Sequence, residues 1–121
     1  MALYIDENGT ISLVQGDSGE IIVSGLDDKV SSNVYFAIQT LKRVPVASEL
    51  MVQSNYSDTV TFVLTSAFTD LLTVPKNKEF ETYQYGIKVC TSNSEDTVLI
   101  ANNDYGMVNQ LIVYPKIVEG A

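Results

Sequence analysis

The sequence predicts an all-β domain in which antiparallel strands pack as a sandwich, and two observations carry that prediction. Apolar residues recur with period two along most of the chain, and turn-forming residues interrupt the alternation roughly every eight to twelve residues. The clearest run is TYQYGIKVC, where Tyr83, Tyr85, Ile87 and Val89 point one way and Gln84, Gly86, Lys88 and Cys90 the other.

The other elements follow in order. A strand from Thr10 to Gln15 turns Ile11 and Leu13 inward, and one from Glu20 to Ser24 does the same with Ile21 and Val23. The Gly-Asp-Ser-Gly sequence at residues 16–19 between them predicts a hairpin tip, with the glycines supplying turn geometry and Asp17 and Ser18 bonding the local backbone. Asn33 to Gln39 buries Val34, Phe36 and Ile38. Val44 to Gln53 reads as one irregular edge strand, because Pro45 cannot donate to a ladder. Val60 to Leu64 follows, then TSAFTDLLTV, where Ala67, Leu71 and Leu72 fall at helical spacing and Thr65 or Ser66 can cap the start. A short helical turn is expected to cross between sheets there, with PKNKEFE as an exposed loop after it. Asp96 to Ala101 and Asn109 to Tyr114 complete the strands. The expected inter-sheet core is Val34, Phe36, Ile38, Phe62, Leu64, Ile87, Val89 and Leu111.

With 121 residues the chain is expected to form a single β-sandwich domain over residues 1–121. Hydrophobic residues make up 45% and charged residues 18%, a globular composition. No apolar run approaches the roughly 20 residues of a spanning helix, so no membrane partner is expected. The N-terminal MALYIDENGT carries acids where a secretory signal carries bases, so no signal peptide is read there. A net charge of −8 repels a phosphate backbone and argues against nucleic acid. The sole cysteine, Cys90, excludes an internal disulfide, and the absence of histidine removes most transition-metal sites, so no metal or other cofactor is expected.

Gly-Asp-Ser-Gly also surrounds the nucleophile of trypsin-like proteases, but a serine hydroxyl needs an adjacent base, and this chain has no histidine. Ser18 is therefore expected to be inert, Cys90 to be structural, and the domain to have no catalytic residues. Partner-binding candidates lie in the turns. Tyr56 and Tyr105 sit outside the strands and offer rings for contact. If consecutive strands reverse direction, the connections at residues 25–32, 55–58 and 92–96 gather at one end, bringing Asp27, Asp28, Asp58, Glu95 and Asp96 together against Lys29. Such an acidic end suits head-to-tail stacking of copies or docking of a basic partner. Calcium is the rival ligand, though these acids lack the alternating spacing of a calcium loop.

The ordered series QGDSGE, NVYFAI, TFVLTSAFTDLL, the Tyr-Gln-Tyr-Gly-Ile-Lys-Val strand and the closing LIVYPKIVEG resembles the immunoglobulin-like N-terminal domain of phage baseplate upper proteins. The resemblance implies an immunoglobulin-like antiparallel β-sandwich of about seven to nine strands with one short helical crossover. It further implies a non-catalytic structural or adaptor role in a phage or prophage tail, with other tail or baseplate proteins or copies of itself as partners. Assembly in the bacterial cytoplasm and residence in the virion follow from that role. The alternative is a carbohydrate- or cell-surface-binding sandwich that takes a host-surface glycan.

Overall fold

The computed structural model describes residues 3–5, 9–98 and 109–117, with backbone only for 96–98. In chain order the elements are β1 (Tyr4–Ile5), β2 (Ile11–Val14), β3 (Gly19–Val23), β4 (Asn33–Thr40), β5 (Pro45–Gln53), β6 (Val60–Leu64), α1 (Ser66–Thr69), β7 (Glu81–Cys90), β8 (Glu95–Val98) and β9 (Asn109–Tyr114). They form two sheets. The larger runs β1-β2-β9-β7-β4-β5, with β8 also on β7, and the smaller is the antiparallel pair β3-β6. β9 and β8 share one edge of β7, the first along Glu81–Tyr85 and the second along Ile87–Cys90. No helix among the described residues is long and apolar enough to cross a membrane.

Alternation places the core. Val34, Phe36 and Ile38 from β4, Ile87 from β7 and Leu111 from β9 face Phe62 and Leu64 of β6, all buried. Val89 is half-buried against this cluster. Ile11, Leu13, Ile21, Val23, Val60, Tyr83, Tyr85 and Val113 extend the core along both sheets. Phe36 meets Phe62 across the sheets with ring centroids 5.7 Å apart, and meets Tyr85 within its own sheet at 5.6 Å. Both inward tyrosines satisfy their hydroxyls: Tyr83 donates to Thr73 O at 2.6 Å and Tyr85 to Gly9 O at 2.5 Å. Aromatic burial of this kind needs such a partner for the polar tip.

Two expectations change. Gly-Asp-Ser-Gly is not a hairpin tip, because β2 pairs in parallel with β9 while β3 pairs with β6 in the other sheet. The segment is a crossover between sheets. Alternation could not separate the two outcomes, since Ile11 and Leu13 face the same core as Ile21 and Val23 in either case. Gly16 holds φ +86, as a turn requires, whereas the turn backbone is fastened from outside: Ser66 Oγ donates to Gly16 O and Thr69 Oγ1 to Asp17 O, each at 2.7 Å. Gly19 is needed for space, because a Cβ there would stand 2.7 Å from Leu3 Cβ.

The second change concerns α1, a single turn capped by Thr65, whose Oγ1 accepts from Phe68 N at 3.2 Å. Its inward side is Phe68, Thr69 and then Leu72, while Ala67 and Leu71 are exposed. The helix ends before the spacing of Ala67 and Leu71 can define a face. By contrast β5 is the irregular edge strand expected, with Pro45 at its first position. Its register on β4 slips between Phe36 and Ile38, whose partners are Leu50 and Val46. Residues 47–49 thus form a bulge opposite Ala37, with Ala47 at φ 64.

Replacing Phe36 or Phe62 by alanine is expected to lower the free energy of unfolding in urea by roughly 3 to 5 kcal/mol; a loss under about 1 kcal/mol at either would contradict this core. Gly19→Val is expected to cost about 1 to 3 kcal/mol through collision with Leu3, and pairing it with Leu3→Ala should restore part of that loss.

Candidate functional site

Strand register decides which turns meet. Asn33 stands beside Gln53 on one side and Cys90 on the other, and Val23 stands opposite Val60. Residues 24–32, 54–59 and 91–94 therefore leave the sheets at the same end. Two of these connections are bonded together. Leu26 N donates to Asp58 O at 2.9 Å, and Ser32 and Ser54 exchange bonds: Ser54 N to Ser32 O and Ser32 N to Ser54 Oγ, both 2.8 Å. Both serines are buried, so this reciprocal pair satisfies polar groups that water does not reach.

On that fastened base stands a tight turn. Ser57 N donates to Ser54 O at 3.0 Å, and the two central residues, Asn55 and Tyr56, have φ 50 and 61. Asparagine tolerates the left-handed region; a tyrosine there is a backbone outlier in a place where glycine relieves the contact between Cβ and carbonyl. The Tyr56 side chain is 64% exposed, so core packing does not account for its presence. An exposed aromatic residue on such a backbone is a candidate contact residue.

Acids lie in the connections at the same end of the sheets. Asp27, Asp28, Asp58 and Glu95 are all exposed, and Asp96 lies in β8 opposite Val89. Two of the carboxylates do local work: Asp27 Oδ1 accepts from Lys29 N at 2.9 Å and Asp58 Oδ1 from Thr59 Oγ1 at 3.0 Å. Lys88 reaches Glu95 at 3.8 Å, a second cation that turn composition did not reveal because it lies within β7. Among the described residues no three acidic or thiol side chains converge as a metal site. Tyr105 lies outside the described residues.

The opposite end is mixed in charge. Lys116 Nζ pairs with Asp70 at 2.8 Å and Lys78 with Glu81 at 3.2 Å, while Lys42, Arg43 and Lys76 make no ion pair among the described residues. There, Leu41, Val44 and Pro75 line a concavity of about 500 Å³. Ser18 is exposed on the intersheet crossover. Cys90 is half-buried, its thiol 3.8 Å from Glu95 Oε1.

No protein-family model and no curated protein matches the chain. Among solved structures it is similar to the periplasmic chaperone SfaE, with a TM-score of 0.63 and 12% identity over 93% of this chain. The match spans 56% of that chaperone's chain, little more than half its length. The likeness is one of fold, and with the two-sheet topology it defines this chain as an immunoglobulin-like β-sandwich.

Tyr56→Gly is expected to raise the free energy of unfolding by about 1 kcal/mol, since glycine removes the left-handed penalty at some cost in chain entropy. Ser54→Ala is expected to lower it by roughly 1 to 3 kcal/mol, because Ser32 N would be left buried without an acceptor. Urea titration of both variants checks the pair; destabilisation by Tyr56→Gly would show that the ring supports the fold.

Proposed function

We propose that this domain is a non-catalytic structural or adaptor module acting through protein–protein contacts, and that it serves in a phage or prophage tail baseplate, resident in the virion. The observation that carries the contact reading is Tyr56, an exposed ring on a turn with left-handed backbone, fixed to the sandwich by buried serines and sharing its end of the domain with Asp27, Asp28 and Asp58. A rigid aromatic anchor at a charged end combines low ordering cost with electrostatic selection of a basic partner. The assignment to a tail rests on the sequence resemblance to baseplate upper proteins.

A basic surface on another tail protein suits this end, and so does a second copy. Lys42, Arg43 and Lys76 stand at the far end beside the apolar concavity of Leu41, Val44 and Pro75. Head-to-tail contact of that type is heterologous and builds rings or stacks.

Sedimentation velocity of the wild-type domain across a salt series, alone and mixed with purified tail proteins, tests the reading. Association is expected to weaken with salt, to fall about tenfold when Asp27, Asp28 and Asp58 are replaced by asparagine, and to be lost in Tyr56→Gly while the fold is retained. Association indifferent to salt and to both variants would overturn it. Glycan binding that Tyr56→Gly abolishes would point instead to a surface-recognition module.

A further inference from the structure

The outer face of the large sheet carries a groove whose floor lies apart from the Tyr56 turn, although Glu95 of the acidic end reaches its lining. Its floor is the cross-strand pair Ala37 and Gly86, and a Cβ built on Gly86 would meet nothing within 4 Å. One wall is an amide pair: Gln84 Nε2 donates to Gln39 Oε1 at 2.8 Å, with Gln84 only 8% exposed despite lying on the solvent side of β7. That bond leaves the Gln39 amino group and the Gln84 carbonyl without a partner among the described residues. Tyr35 forms the facing wall, and Glu49, which the Phe36–Leu50 register sets opposite Ala37 on the same face, stands at the rim. Together these six residues shape most of an open hollow of about 570 Å³, within the roughly 300–1,000 Å³ span of small-molecule sites.

The lining selects among ligands. Glu49 and Glu95 both line the hollow against the single cation Lys88, so its net charge is negative and an anionic ligand is disfavoured. An extended peptide binds by adding to a sheet edge, but both floor strands are already paired on each side, β4 with β5 and β7, and β7 with β4 and β9 or β8. What remains offered is a donor and an acceptor from one fixed amide pair, a carboxylate acceptor and an aromatic ring above a flat floor of small residues. Sugar hydroxyls both donate and accept, and the C–H face of the ring packs against an aromatic side chain.

We propose that this groove is a binding subsite for a neutral pyranose, with Gln39, Gln84 and Glu49 holding hydroxyls and Tyr35 covering the apolar ring face. None of the four residues assigned to the sugar lies in the Tyr56 turn, so variants at Gly86 and Glu49 test this site apart from the contact at Tyr56.

Amide ¹H–¹⁵N spectra of the full chain, titrated with the methyl glycosides of glucose, galactose, mannose and N-acetylglucosamine, test it. At least one sugar is expected to give saturable shifts confined to residues 35–39, 49 and 84–88, with Kd on the order of 1 mM. Gly86→Leu fills open space above the floor and is expected to weaken that sugar about tenfold or more, and Glu49→Gln by about threefold, with melting temperatures near wild type. Should Gly86→Leu fail to fold, the Glu49→Gln titration decides. Absence of saturable shifts with all four sugars, shifts centred on Tyr56, or undiminished affinity in a folded Gly86→Leu variant would overturn the proposal. So would a Gly86→Leu variant that loses self-association and shows no sugar effect, since the face would then belong to a protein contact.

Discussion

The contact between Phe36 and Phe62 is the interaction on which the rest of the domain depends. A two-stranded sheet cannot be stable in water by itself, and β3-β6 persists because its inward residues close over the larger sheet at this aromatic pair. Tyr85 packs on Phe36 from the side and ties the cluster to Gly9 through its hydroxyl, so the segment before β2 is held by the same group. Phe36 thus links both sheets and the N-terminal region. Its burial is complete, which leaves no slack for a smaller ring or a shifted register.

The two ends of the sandwich are fastened by different chemistry, and this sets what each can present. At one end the hydroxyls of Ser66 and Thr69 clamp the backbone of the intersheet crossover, and Leu72 plugs the core beneath. At the other, Ser54 bonds both backbone groups of Ser32, its N–H to the carbonyl and its hydroxyl oxygen to the N–H, and this stiffens the base of the Tyr56 turn. Side chains bond backbone groups that the ladder does not reach, because β3 and β6 belong to one sheet and their neighbours in sequence to the other. The acidic turns ride on that stiff base.

The outer face of the large sheet has a different origin. A bulge in β5 opposite Ala37, together with Gly86 across from it, removes side-chain bulk from the middle row while the rows on either side keep Tyr35, Gln39 and Gln84. Bulges commonly re-aim a side chain beside a site. Here the inserted residues are Ala47 and Ser48, while Glu49 keeps the register of Leu50 and Met51 and so stands opposite Ala37. It lies beside an amide pair that retains one unbonded amino group and one unbonded carbonyl among the described residues.

The sequence by itself determined the strands from β2 onward and their inward faces, whereas β1 is too short to show a period; of the strand expected at Asp96 to Ala101, residues 99–101 lie outside the described residues. Period-two alternation is a local property of each strand, so Val34, Phe36, Ile38, Phe62, Leu64, Ile87 and Leu111 were legible as core; reversal of consecutive strands likewise gathered the connections after Val23, Gln53 and Cys90 at one end. Gly16 was legible as a turn residue because its neighbours offered no other geometry. Only the tertiary structure decided which sheet each strand joins, since alternation names the face a strand buries and not the edge it pairs with; the parallel β2-β9 pair follows from that choice. It also decided that Gly19 makes room for Leu3, that Ser32 and Ser54 are buried partners, and that Tyr56 holds a left-handed backbone. Each depends on groups distant in sequence or on a dihedral angle that residue type does not dictate. The groove was hidden for the same reason: Ala37 and Gly86 are separate small residues until hydrogen bonding between β4 and β7 sets them side by side.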